Sequence, residues 1–327
     1  MGKVLNLGIM GAGGIAGTMA GTVNKMENVK CYAVASRTQE KADAFGQKFD
    51  VEKCYGSYEE MLADEKVDLV YVATPHSEHY ENMKLCIRYK KPILCEKAFT
   101  ANAAQAKEVL ALAKEAGVLV AEAMWIRYMP MYKTIKEVLE SGIIGEVKMV
   151  NANLGYNISH VERLMNPALA GGALLDLGVY TIHFASMILG TDVEKIESSC
   201  DLTDTGVDKQ ESITIHYKNG SMAVLNASMC LMSDRIGGIF GTKGYAVVEN
   251  INNFETLTVY NNQYQKVAYY EAPKQISGYE YEVEACAKAL EKGLTECPEM
   301  PHAETLRIMQ IMDGLREDWG VKYPFEA

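Results

Sequence analysis

A doubly wound parallel α/β domain followed by an α+β domain with a largely antiparallel, open-faced sheet is the architecture this sequence predicts. Three observations carry the prediction. The first 120 residues or so alternate between short apolar runs and helix-compatible stretches, the pattern of a parallel sheet covered by helices on both faces. A glycine-rich turn, Gly11-x-Gly13-x-x-Ala16, follows the first apolar run directly, in the context of a dinucleotide-binding β–α turn. From about residue 193 to 270 the pattern changes to strands joined by tight turns, with Lys218-Asn219-Gly220 and Thr242-Lys243-Gly244 as hairpin signals.

In order, strands are expected at 4–10, 31–35, 67–73, 93–95 and 119–121, with helices between them such as 78–89 and 102–116. The character shifts after residue 122, giving a dinucleotide-binding domain at 1–122 and a substrate and assembly domain at 123–327. The second part opens with a helix at 131–140, a strand at 146–155 and a strongly apolar helix at 172–189, and it closes with helices near 279–292 and 301–318. In its sheet Ala223, Leu225 and Met229 fall on one face, and Met222, Val224 and Cys230 on the other. Helices of the same domain cover one such face. The other meets a second subunit or is simply a buried strand surface.

In the glycine turn, Gly11 permits the sharp reversal and Gly13 lets backbone N–H groups approach a pyrophosphate. Gly14 and Ile15 open the helix, and Ala16 allows close strand–helix packing. The helix N-terminus then offers unpaired donors and a positive dipole end. An NAD site places an acid at the end of the second strand for the ribose 2′-OH. Here Ser36 and Arg37 stand there, a hydroxyl and a cation suited to a 2′-phosphate. NADP is therefore the expected cofactor, with NAD less favoured. Without the glycines, Arg37 would read as a solvated surface cation.

Composition narrows the field. A formal net charge of −11 over 327 residues, with no basic run, argues against nucleic acid or an anionic membrane as partner. The eight cysteines include no Cys-x-x-Cys pair, and cysteines in apolar settings such as Cys95 fit a reducing compartment. No signal peptide is readable, and the apolar stretch at 174–189 is interrupted by Asp176 and His183. A soluble cytoplasmic protein is expected.

Ligands of doubly wound sheets sit at the strands' carboxyl ends, which here carry Thr74, Pro75 and His76, Glu96 and Lys97, and Glu122. Lys97 can orient substrate hydroxyls and lower a neighbour's pKa; alternatively it is a surface lysine paired with Glu96. Asp176, the only charged residue of 172–189, shares an i, i+4, i+7 stripe with Tyr180 and His183. Those groups suit proton transfer and hydroxyl binding, either toward a small polyol or within an internal network. His76 and His79 lack a third ligand at motif spacing, so no metal site is expected; they flank the nicotinamide pocket or the helix start. Trp125 and Arg127, at the domain crossing, are assigned to the cofactor side. Trp125 also walls the cleft, with interdomain packing as its competing reading.

Taken together, these motifs resemble the Gfo/Idh/MocA oxidoreductase family over nearly the whole chain. The match rests on Gly8-Ile-Met-Gly11-Ala-Gly13-Gly-Ile-Ala16, Ala-Ser36-Arg37, Cys-Glu96-Lys97, Glu122-Ala-Met-Trp125-Ile-Arg127-Tyr and Gly171-Gly-Ala-Leu-Leu-Asp176-Leu-Gly178-Val-Tyr180. Within the family it looks most like the dimeric dihydrodiol dehydrogenase and NADP-dependent D-xylose dehydrogenase branch. The resemblance implies a Rossmann domain, a homodimer or homotetramer built on the open sheet face, Lys97 and Tyr180 acting together in proton transfer, and Asp176 in the sugar pocket. One departure is Ala98, where the family has proline after the lysine; without it φ is free and a preset turn is lost. The expected activity is hydride transfer between nicotinamide and a carbinol carbon of a sugar or cyclic diol. A redox-neutral sugar enzyme with tightly held NAD(P) and an NADP-sensing regulator are the rivals.

Overall fold

The structure is a computed structural model that describes residues 4–326; the extreme N-terminus at 1–3, part of the leader reading, lies outside the described residues. Among the described residues, the first sheet has six parallel strands: β1 (Leu5–Met10), β2 (Val29–Ala35), β3 (Lys53–Tyr55), β4 (Leu69–Val72), β5 (Ile93–Glu96) and β6 (Val120–Ala123). Their order, β3-β2-β1-β4-β5-β6, is that of a dinucleotide-binding doubly wound sheet. The crossovers carry α1 (Gly14–Val23), α2 (Gln39–Phe49), α3 (Tyr58–Ala63), α4 (His76–Arg88) and α5 (Ala103–Ala116). Side-chain caps set several of the starts: Thr38, Ser57 and Asn102 accept backbone N–H groups of α2, α3 and α5. Strands β1, β4 and β5 are apolar because helices bury them on both faces; Leu7, Ile9, Val70 and Leu94 have no exposed surface.

The later elements are α6 (Pro130–Glu140), β7 (Val147–Gly155), the short α7 (Glu162–Met165) and α8 (Val179–Leu189). Then come β8 (Val193–Leu202), β9 (Asp208–Tyr217), β10 (Met222–Ser228), β11 (Gly237–Gly241), β12 (Gly244–Glu249), β13 (Thr256–Asn261) and β14 (Lys266–Glu271). The chain ends with α9 (Glu280–Glu291) and α10 (His302–Trp319). The second sheet runs β14-β13-β12-β11-β7-β10-β9-β8, antiparallel except where β10 lies parallel to β7. Both expected hairpins form, and Gly220 takes the left-handed φ (+79°) that its turn demands.

Alternation along β10 separates the two faces of that sheet. Ala223 and Leu225, with Met229 just beyond, are fully buried, Met222 and Val224 are half-buried, and Cys230 past the strand end is exposed. Among the described residues, Pro167–Leu189 is the stretch long and apolar enough to cross a membrane, and 83% of its apolar window is buried inside the protein. It is core.

The compact units are not contiguous in sequence. One comprises 1–128 with 275–309, the other 129–274 with 310–327, whereas the sequence suggests one crossing after residue 122. The return is fixed by long-range bonds to the sheet edge. Val120 N–H donates to the Thr295 carbonyl (3.1 Å), and His302 Nε2 lies 2.8 Å from the Val120 carbonyl.

Candidate active site

The first unit carries the expected cofactor cradle. Gly11 has φ +104°, and a Cβ there would stand 2.9 Å from the Ala73 carbonyl oxygen, so only glycine fits this turn. Its N–H donates to the Ala35 carbonyl at 2.9 Å, tying the turn to the end of β2. Gly13 and Gly14 are exposed, with open space where side chains would be. Gly13 caps α1 without any side-chain acceptor for the helix's first N–H groups, which leaves them directed at a ligand. Ile15 is half-buried beside them, and Ala16 is fully buried beneath. These features fit a dinucleotide pyrophosphate. Ser36 is 6% exposed, while Arg37 points into solvent at the end of β2.

Around Lys97 the backbone is held from both sides. Tyr71 donates its hydroxyl to Glu96, and Glu96 accepts the N–H of Lys97 at 3.2 Å. Burial and the nearby Glu96 and Glu282 carboxylates push the Tyr71 phenol well above its ordinary value, so it stays a donor. On the other side, His79 Nδ1 lies 2.9 Å from the Ala98 carbonyl and its Nε2 2.8 Å from the Thr74 carbonyl. The Lys97–Ala98 peptide is cis. These bonds hold a segment expected to be loose without proline. They also place His79 at the start of α4, one of its two expected places. It is fully buried, its pKa lowered by that burial, and it brackets two loops. His76 packs edge-on to it at 5.8 Å, and Thr74 Oγ1 accepts from Asn82. Pro75 occupies the N-cap of α4, which starts at His76, two residues earlier than its sequence suggests.

Trp125 and Arg127 are committed within this unit. The Trp125 indole stacks on Tyr279 at 4.1 Å and 13°, and is 7% exposed. That covers one face of the proposed cleft wall. Arg127 donates to Glu304 Oε1 (3.0 Å) and the Glu299 carbonyl (3.1 Å), so its guanidinium serves an internal ion pair. Glu122, at the end of β6, is buried and its carboxyl is pushed up to about 7 by desolvation. A carboxyl whose folded value exceeds its unfolded one weakens the fold as pH rises through that window, here from about 4.5 to 7, by at most about 3 kcal/mol. Thermal melts of Glu122→Gln should therefore lose less between pH 5 and pH 8 than wild type. An equal loss in both proteins rules this account out.

The second unit carries Asp176, Tyr180 and His183, though not on an uninterrupted α-helical stripe. Leu174–Gly178 forms a π-turn, with Val179 N–H donating back to the Leu174 carbonyl, before α8 begins. The wider turn holds Asp176 and displaces it from the i, i+4 position beside Tyr180. Asp176 and Tyr180 are each 5% exposed, whereas His183 has no exposed surface. His183, expected to bind a substrate hydroxyl, lies on the buried helix α8 three residues after Tyr180. Asp176 Oδ1 accepts two hydrogen bonds from Arg163, both 3.1 Å. Arg163, on α7, is half-exposed and was not among the expected site residues. Its signal was indirect: a lone carboxylate in an apolar helix demands a counter-charge.

A doubly wound parallel sheet with an uncapped glycine turn at the end of its first strand marks a dinucleotide-binding protein. The model of the oxidoreductase family with an NAD-binding Rossmann fold matches residues 5–124, and that of the GFO/IDH/MocA C-terminal domain matches 132–247. The chain belongs to this family and is an NAD(P)-dependent oxidoreductase, a dehydrogenase in class. It is 34% identical to trans-1,2-dihydrobenzene-1,2-diol dehydrogenase of Mus musculus, covering 98% of both chains. It is 36% identical to the enzyme of that name from Xenopus laevis, over 89% of this chain and 90% of that one. Among solved structures, an aldose-aldose oxidoreductase from Caulobacter crescentus shares the fold with TM-score 0.88 at 19% identity, covering 97% of this chain and 98% of that one. A 3-ketoreductase from Actinomadura kijaniata, solved with NADP and TDP-benzene, gives 0.87 at 24% over 96% and 97%.

Proposed function

We propose that the protein is an NADP-dependent dehydrogenase that oxidises, reversibly, a carbinol carbon of a small cyclic polyol, a pyranose or a cyclic trans-diol. The observation that carries the reading is the full-length likeness to dehydrogenases named for a cyclic trans-diol. A vicinal diol needs two polar contacts, and the second unit offers Asp176 and Tyr180 on a largely apolar segment. Ser36 and Arg37 at the end of β2, where an NAD site has an acid, support NADP.

Tyr180 acts as the phenolate, the form that the Lys97 ammonium favours; its Oη takes the proton of the reacting hydroxyl and becomes the neutral phenol. Asp176, oriented by Arg163, accepts a hydrogen bond from the neighbouring hydroxyl. Gly11, Gly13 and the α1 N-terminus would hold the pyrophosphate of a nicotinamide dinucleotide, whose nicotinamide ring would supply the hydride acceptor. The half-buried outer face of the second sheet carries Met222 and Val224, and Phe240, Tyr245 and Tyr260 stacked side by side (6.1 and 4.8 Å between rings). That face supports assembly as a homodimer or homotetramer. Eight free cysteines, five of them buried and all five in the first unit, support a reducing, cytoplasmic setting.

Steady-state kinetics across pyranoses, inositols, cyclic trans-diols and linear alcohols test the substrate class. An apolar alcohol leaves Asp176 desolvated without its partner hydroxyl, so cyclic polyols should exceed linear monoalcohols in kcat/KM by at least about tenfold. A preference for unbranched aliphatic alcohols overturns the proposal.

A further inference from the structure

Asp208, the first residue of β9, has no exposed surface. Its Oδ2 accepts the N–H of Leu174 at 2.5 Å, and the same carboxylate takes the N–H of Ala173. These are the donors that open the π-turn. Gly172 precedes them at φ +118°, and a Cβ there would lie 2.3 Å from Asp208 Oδ1. At the far end of the turn, a Cβ on Gly178 would lie 2.4 Å from Glu211 Oε1. Glu211 is on the same strand, and neither of its buried carboxyl oxygens has a hydrogen-bond partner. Two carboxyls of one strand thus abut both ends of the π-turn, at positions that only glycine leaves open.

The two carboxyls differ in kind. Burial pushes Glu211 well above the usual carboxylate range, with Asp208 adding to the effect, so it stays protonated. Burial raises Asp208 too, but only to about 6, because the backbone N–H groups of Leu174, Ala173 and Asp208 itself and the Arg316 charge favour its anion. Tyr323 and Cys200 also face it, both raised by burial first and then by its charge. At neutral pH Asp208 is therefore the charged cap and Glu211 a neutral filler.

We propose that Asp208 is a positioning residue that holds the π-turn and thereby sets the direction of Asp176 and its Arg163 partner relative to Tyr180. This rests on the assignment of Asp176 and Tyr180 to the polyol. A π-turn contains one residue more than an α-turn. Relaxation to regular helix would rotate everything N-terminal to it by about 100°. Tyr180 lies beyond the turn on α8, which keeps its own hydrogen bonds, so the loss falls on hydroxyl binding.

Asp208→Asn tests this, with Glu211→Gln as companion. Asp208→Asn should raise the polyol KM at least about tenfold while kcat falls less than about threefold. NADP affinity by fluorescence titration should be unchanged, and the Leu174 amide should exchange at least about tenfold faster. Glu211→Gln should leave KM within about twofold. An unchanged KM, or an unchanged Leu174 exchange rate, overturns the proposal. In wild-type protein, Leu174 protection relative to the intrinsic rate should fall as pH drops through about 6, a measurement needing no variant; constant protection also overturns it. If wild type oxidises no polyol, the functional reading fails, while the two exchange measurements still decide whether Asp208 holds the turn.

Discussion

Replacing Tyr180 by Phe is expected to lower kcat by about 10²–10⁴ while leaving NADP affinity within a few-fold. The substitution keeps the ring that packs in α8 at 5% exposure and deletes only the oxygen to which the proposal gives the substrate proton. The structural cost is that of one lost hydroxyl, on the order of 1 kcal/mol, so the melting temperature should change little beside turnover. Lys97→Met removes the cation while the backbone grip of Glu96 on residue 97 remains, and it should cost kcat in the same range. If the two groups act as a unit, as proposed, the double variant should be little worse than either single one. Near-normal turnover in Tyr180→Phe would falsify the assignment.

The second large effect lies at the other end of the cofactor. Arg37→Ala should raise the KM for NADP by about 10- to 100-fold, since charge-assisted contacts to a phosphate contribute roughly 1.5–3 kcal/mol. Use of NAD should change little, because a bare 2′-hydroxyl offers the guanidinium no charge to pair with. Arg37 is exposed, so its removal leaves the fold intact, and any change in KM reports the cofactor contact. A wild-type enzyme with higher kcat/KM for NAD sinks the reading of Ser36 and Arg37.

What the sequence revealed, and what it hid, follows from the range of the interactions. Strands β1, β2, β4, β5 and β6 were legible because burial on two faces makes continuous apolar runs. Three-residue β3 was not, since an edge strand paired only with β2 needs no such run. The glycine turn was legible because its constraint is local: a positive φ at Gly11 and a carbonyl beside it. Asp176 stood out as the lone charge in an apolar helix. Its true direction did not, because the π-turn depends on Asp208, 34 residues from Leu174 along the chain. The commitments of Arg127 to Glu304 and Trp125 to Tyr279 were equally hidden, the first pair being 177 residues apart. His183 looked like Tyr180 in periodicity, and both lie buried on α8.

The return of residues 275–309 to the first unit has a consequence for how the chain is made. Strand β6 ends the first sheet, and its edge is closed by Thr295 and His302, the latter 182 residues downstream of Val120. At a synthesis rate of about 5–20 residues per second, roughly 9–36 s pass between the two positions leaving the ribosome's catalytic centre. Through that interval the nascent parallel sheet presents an unpaired edge, the feature that invites pairing with other chains. The amino-terminal domain is thus among the last parts of the protein to be completed, and a stop codon shortly before residue 275 is a lesion of the first sheet.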